Sequence, residues 1–307
     1  MTKSLGKRAF SDSLLANIMK ELVIISGKGG TGKTSLVAAF ASLAENKILC
    51  DADVDAADLH LLMAPKVGEH HDFQGGNTAI INPNLCTECG LCRDLCRWNA
   101  ISEDFNVDSL ECEGCGVCVY FCPEEAIEFP VNTCGEWYIS DTRFGPMVHA
   151  RLGIAEENSG KLVTLVRMES KKLAEEKDLD LIITDGPPGI GCPVIASIGG
   201  ASAVLIVTEP TVSGRHDMER VSQLAAHFNV PAMMCVNKFD LNTEQTSEIE
   251  AFSVEKNVKV LGRIPFDPIF TKSMVQGQTI FEYNKGSESG QVIRLIWERV
   301  SEMLDLG

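Results

Sequence analysis

Ser26-Gly27-Lys28-Gly29-Gly30-Thr31-Gly32-Lys33-Thr34-Ser35 decides the fold, because it satisfies G-x-x-x-x-G-K-[ST] in the context where that pattern carries chemistry. It follows an apolar, strand-sized run at 22–25 and opens a helical stretch over 33–45. Gly27, Gly29, Gly30 and Gly32 let backbone N–H groups turn inward around phosphate oxygens, with Thr31 and Ser35 in the same loop. The helix starting at Lys33 adds its positive dipole end. Lys33 is expected to bridge the β- and γ-phosphates of a nucleotide, and the Thr34 hydroxyl to ligate Mg²⁺.

Outward from this loop, apolar runs at 22–26, 47–50, 181–184, 203–208, 232–236 and 258–261 alternate with helical stretches at 33–45, 212–227, 243–254 and 290–304. Val- and Ile-rich strands separated by helices imply an α/β fold, a mostly parallel sheet covered by helices on both faces. The chain of 307 residues is long enough for one large domain and a small one. No apolar run approaches the roughly 18–20 residues of a membrane span, and no signal peptide is recognisable, so a cytoplasmic location is expected. A net charge of −16 argues against nucleic acid and anionic membranes as partners. Residues 1–18 read as an N-terminal extension, native or a misassigned start, ahead of a segment from Met19 that would itself make a natural start, and receive no function.

The gap between the second strand and 181–184 holds an internal repeat. AIINPNLCTECGLCRDLCRWNAI (79–101) matches FNVDSLECEGCGVCVYFCPEEAI (105–127), four cysteines and an Ala-Ile pair recurring at an offset of 26 residues. A duplicated unit this short cannot build its own apolar core, so it needs a cofactor to fold. The insert is placed at 76–131, leaving 19–75 and 132–307 as the two parts of the main domain. Within the second part, stretches near Glu136–Ile139 and Met147–Leu152 are strand-like.

Lys28, near the start of the phosphate loop, resembles the marker of the deviant Walker A group of P-loop ATPases, which includes MinD, the ParA partition proteins and the nitrogenase iron protein. The resemblance implies a nucleotide-dependent dimer, with a second copy or a paralogous ATPase, in which Lys28 reaches the partner's phosphates. Asp51-Ala52-Asp53-Val54-Asp55 resembles switch I, whose aspartates orient the attacking water and hold Mg²⁺ through water; Asp51 and Asp55 are the first choices, then Asp53. Ile182-Ile183-Thr184-Asp185-Gly186-Pro187-Pro188-Gly189 resembles Walker B with switch II, so Asp185 would hold Mg²⁺ through water and the Gly186 or Gly189 amide would sense the γ-phosphate. Asn237 and Lys238 would flank the base on one side, Pro265 and Asp267 on the other. ATP is the implied nucleotide, although Asn237-Lys238-Phe239-Asp240 also matches N-K-x-D, which reads guanine in G proteins.

Cys86-x-x-Cys89-x-x-Cys92-x-x-x-Cys96 and Cys112-x-x-Cys115-x-x-Cys118-x-x-x-Cys122-Pro123 resemble two copies of the bacterial ferredoxin run. That resemblance implies an inserted α+β two-cluster domain. Cys86, Cys89, Cys92 and Cys122 would ligate one [4Fe–4S] cluster, and Cys112, Cys115, Cys118 and Cys96 the second. Arg97 stands where the first run would carry proline. Residues 80–130 hold ten acidic and two basic residues, so a redox partner should be basic. Cys50, Cys134 and Cys235 read as core or loop thiols, while Cys192 resembles in position the subunit-bridging cluster cysteine of the nitrogenase iron protein. His70-His71 reads as an exposed loop pair. The last helix carries Glu298, Glu302 and Asp305 on its polar face, which favours packing on the sheet over direct membrane binding.

The combination implies an ATP-gated electron carrier. Two alternatives stand beside it: an iron–sulfur assembly or carrier ATPase, and a MinD-like spatial or redox-sensing regulator.

Overall fold

The chain forms its sheet around the strand that feeds the phosphate loop. In the computed structural model, which describes residues 19–153 and 159–306, the order runs β1 (Lys20–Ser26), α1 (Lys33–Leu43), β2 (Lys47–Asp51), α2 (Leu59–Met63) and β3 (Lys66–Asn77). Next comes an excursion of β4 (Ile80–Ile81), α3 (Leu91–Leu95), α4 (Val117–Phe121) and β5 (Ile127–Glu128). The sheet resumes with β6 (Val131–Thr142), β7 (Gly145–Leu152), α5 (Ser159–Glu176), β8 (Leu181–Pro188), α6 (Cys192–Ile198), β9 (Ala203–Thr208), α7 (Val212–His227) and β10 (Ala232–Asn237). It closes with α8 (Thr243–Glu255), β11 (Lys259–Ile264), α9 (Ile269–Val275), α10 (Ile280–Tyr283) and α11 (Glu288–Leu304). The 1–18 extension lies outside the described residues.

The strand order is β11-β10-β9-β1-β8-β2-β7-β6-β3. Strands from β11 to β7 are parallel, and β6 and β3 extend the sheet antiparallel. β1 has neighbours on both sides, which is why Leu22–Ile25 is apolar without alternation and wholly buried. Leu22, Ile24 and Leu49 face a core shared with Phe40 of α1 and Ile293, Ile296 and Val300 of α11. Val23 and Ile25 face the opposite layer, with Val194 of α6, Met218 of α7 and Ile249 of α8. A third cluster sets Leu162, Val163 and Val166 of α5 on Ile48 and Val148. The last helix therefore packs on the sheet.

A buried ion pair joins these layers. Arg167 of α5 donates Nε and Nη2 to Glu21 of β1, both at 2.7 Å, and Nη1 to the carbonyls of Ala196 and Gly199 at the end of α6. The guanidinium thus offsets a buried carboxylate and satisfies carbonyls at a helix terminus that would otherwise lack partners.

β3 corrects one sequence expectation. His70 and His71 lie on a strand rather than in a loop, opposite Tyr138 and Trp137 of β6. Successive strand residues alternate sides, so the two imidazoles face opposite ways. Residues between β3 and β6 leave the sheet from its carboxyl edge, the edge that also carries the phosphate loop. Their own secondary structure is the β4–β5 pair, α3 and α4, the last two repeating at the 26-residue offset.

Candidate functional site

The phosphate loop is shaped by close approach from two other elements. At Gly27 a Cβ would lie 2.0 Å from Asp217 Cβ of α7. Gly32 has φ 89°, and a Cβ there would meet Asn237 Nδ2 at 2.4 Å. Neither position has room for a side chain. Lys33 and Thr34 begin α1, and the carboxyl ends of β2 and β8 bring Asp51 and Asp185 alongside.

Lys33 Nζ sits 2.6 Å from Asp185 Oδ1 and 3.1 Å from Asp53 Oδ2. Burial pulls the Lys33 ammonium down, but Asp185 and then Asp53 more than offset that, and its pKa stands above the ordinary lysine value. Asp51 is fully buried, and burial followed by the Asp185 charge pushes its carboxyl well above the usual range. Asp53 is raised by burial despite its ion pair, because one ammonium is shared among three carboxylates. Asp51 Oδ2, Asp53 Oδ1, Asp185 Oδ2 and Thr31 Oγ1 are buried with no hydrogen-bond partner among the described residues. Such orphaned acceptors fit a hydrated divalent cation beside a phosphate.

Asp53, ranked third from sequence, is therefore the aspartate of 51–55 that pairs with Lys33. Asp55 is exposed and makes no bond to the lysine. Lys28 pairs with Glu209 Oε2 at 3.1 Å, and Lys238 with Glu209 Oε1 at 2.5 Å while donating to the Gly30 carbonyl. Sequence patterns gave no sign of Glu209. The Gly189 amide donates to the Ser26 carbonyl at 2.9 Å, tying the segment after Asp185 to the phosphate loop.

A cleft of about 200 Å³ opens beside Gly30, Gly32 and Ser35. Its walls include Asn237, Lys238, Pro265, Asp267, Phe266 and Phe270, an apolar lining with a few polar groups that suits a small ligand. Asn237 Nδ2 donates to the Thr31 carbonyl at 2.7 Å, locking the cleft to the loop. Both Asp267 oxygens are committed, to Ile269 N and to Ser289 Oγ. Asp240 Oδ1 accepts from Phe266 N at 2.6 Å, and Asp240 does not line the cleft.

The cysteine repeats line two further small cavities of about 20 Å³ each. Cys86, Cys89, Cys92 and Cys122 surround one, with Ile81, Leu91, Phe105 and Ile127. Cys96, Cys112, Cys115 and Cys118 surround the other, with Trp98, Ile101, Val107 and Phe129. All are free thiols. The Glu88 amide approaches Cys86 Sγ at 3.4 Å and the Ala126 amide approaches Cys122 Sγ at 3.3 Å. Beside Arg97, where the second run has Pro123, Trp98 shields the Cys96 cavity. Cys50 and Cys235 are buried, and burial pushes both thiols up to about 12; Cys134 is buried too, and Cys192 is exposed at the start of α6.

These features define a nucleotide-binding P-loop protein, and residues 22–280 match the CobQ/CobB/MinD/ParA nucleotide-binding domain. The chain belongs to that family. An uncharacterized protein of Methanocaldococcus jannaschii is 31% identical over 94% of this chain and 98% of its own length. A second protein of that organism is 27% identical over 87% and 94%. The fold is similar to the septum site-determining protein MinD complexed with Mg-ADP from Pyrococcus horikoshii, with TM-score 0.57 and 19% identity over 93% of this chain and 97% of that one. Among the described residues no helix is long and apolar enough to cross a membrane.

Proposed function

We propose that this chain is a Mg²⁺-dependent ATPase whose nucleotide state is coupled to electron transfer through two [4Fe–4S] clusters, held by a ferredoxin-like unit between β3 and β6. The observation that carries the reading is the partition of eight cysteines, four to a cavity, with the last cysteine of each run crossing to the other run's cavity. Four soft thiolates, an apolar wall and amides aimed at sulfur suit a cubane. When bound, each cluster would supply one-electron storage and release. The chain's own part is to hold the ligands, to exclude water with Trp98 and Phe105, and to present an acidic surface to a basic redox partner. Twelve cysteines with no disulfide among the described residues suit a reducing, cytoplasmic setting.

At the nucleotide site, Lys33 would exchange its carboxylate partners for the β- and γ-phosphates. Asp51, Asp53 and Asp185 would then hold the hydrated Mg²⁺ and orient the attacking water. Lys28 would leave Glu209 for the phosphates of a second copy or a paralogous ATPase in a nucleotide-dependent dimer. The engagement of Asp240 by Phe266 N supports ATP over GTP. A line of hydrogen bonds supports the coupling: Leu152 N to Val54 O of switch I at 3.0 Å, Gly153 N to Cys134 O at 2.8 Å, Cys134 Sγ to Gly75 O at 3.2 Å, and Asn77 Nδ2 to Phe129 O at 2.9 Å. The likeness to MinD favours a second reading, a spatial regulator that uses the clusters as redox sensors.

Reduction potentials of the anaerobically reconstituted protein, taken with and without ATP and Mg²⁺, separate these readings. A nucleotide-dependent shift that Lys33→Ala abolishes is expected. Unchanged potentials with both clusters retained would favour the regulator, and transfer of clusters to an apo-ferredoxin would favour an assembly role.

A further inference from the structure

The antiparallel margin of the sheet carries a second cluster of ligating side chains, separate from the nucleotide and cysteine sites. His70 and Asp72 lie two residues apart on one face of β3. Asp72 pairs in register with Glu136 of β6, and His70 with Tyr138. One ring nitrogen of His70 and one carboxylate oxygen each from Asp72 and Glu136 lie within 4.8 Å of one another. We propose that these three residues form a binding site for a first-row divalent transition ion, completed by water.

The ligands are held in place by the protein itself. Glu136 Oε2 accepts from the Tyr138 hydroxyl at 2.6 Å and from Arg151 Nη2 at 3.1 Å, which leaves Oε1 facing His70 Nε2 at 3.6 Å. The Tyr138 ring stacks on His70 at 4.9 Å and 12°, and on its other side on the largely buried His149 at 4.9 Å and 18°. The imidazole plane and the inward carboxylate oxygen are therefore both fixed by outer contacts, as around metal sites. One imidazole and two carboxylates on one side of an ion suit manganese, iron, cobalt or zinc, and leave open positions. His70 and Asp72 are exposed, so water can fill them.

Co²⁺ is the discriminating probe, because thiolate ligation at the cysteines produces a charge-transfer absorption that nitrogen and oxygen ligation lacks. The full chain, stripped with chelator and kept anaerobic, is titrated with Co²⁺ beside His70→Ala and Asp72→Asn. The parent should bind one more equivalent lacking the thiolate band than either variant, both of which change exposed side chains. Tyr138→Phe, which keeps the ring and removes the hydroxyl from Glu136, should weaken that equivalent by about 10- to 100-fold. Equal numbers of such ions, bound with equal affinity, in the parent and both ligand variants would overturn the proposal.

Discussion

The nucleotide end of the sheet and the cysteine unit beside it differ sharply in how much apolar surface they bury. Around Lys33, Asp51, Asp53 and Asp185 the scaffold is an apolar core: Leu22, Ile24, Ile25, Phe40 and Ile183 are all fully buried. The cysteine unit has almost none of this. Its buried apolar side chains are Ala79, Ala100, Ile101, Ala126 and Ile127, while Leu110, Tyr120 and Phe121 stand in solvent. A region with so little to bury has no apolar core of its own to order it. The first site is built by packing; under the proposed function the second would be ordered by the clusters its thiols hold.

The largest expected effect tests the packed half. Phe40→Ala removes a fully buried ring that lies tilted with its centroid 5.0 Å from that of Trp297 and should cost about 3–5 kcal/mol in urea unfolding. A cost below about 1 kcal/mol would mean that this half is not held by its core. Acid supplies the next effect. Burial, then the neighbouring His60 charge, lowers the His149 pKa to about 4, below the ordinary 6.5. Between those values the unfolded chain binds the extra proton, so stability rises with pH across that window and is lost as pH falls through it. His149→Gln should flatten that slope by up to about 3 kcal/mol; an unchanged slope would remove His149 as its source. The smallest effect belongs to the cysteine unit. Tyr120, 84% exposed, should change unfolding by no more than about 0.5 kcal/mol when replaced by Ala.

How much of this was legible in sequence follows the same division. β1, β2, β8, β9, β10 and β11 announce themselves because strands buried on both faces must be apolar throughout. The phosphate loop is equally plain, since its spacing is set by the phosphate it wraps, and the cysteine runs stand out by their exact 26-residue repeat. KVGEHHDFQGGN (66–77) carries no such signal: it is a strand only because β6 supplies its hydrogen bonds, and its side chains are mostly exposed. Choosing among Asp51, Asp53 and Asp55 needed the backbone path after β2, which turns Asp53 toward Lys33 and leaves Asp55 in water. Glu209, and the meeting of Glu136 with His70 and Asp72, depend on strand neighbours far apart along the chain. Asp267 fits the base-lining pattern, yet both of its oxygens serve α9 and α11.

Iron and inorganic sulfide counted per chain after anaerobic reconstitution, with Mössbauer spectra of the parent and of Cys89→Ala, test the central claim most directly. The account predicts two cubanes in the parent, one in the variant, and undiminished ATP binding in both. Zinc in place of iron, cavities that take up no cluster, or a Cys89→Ala protein that still holds two cubanes would contradict it.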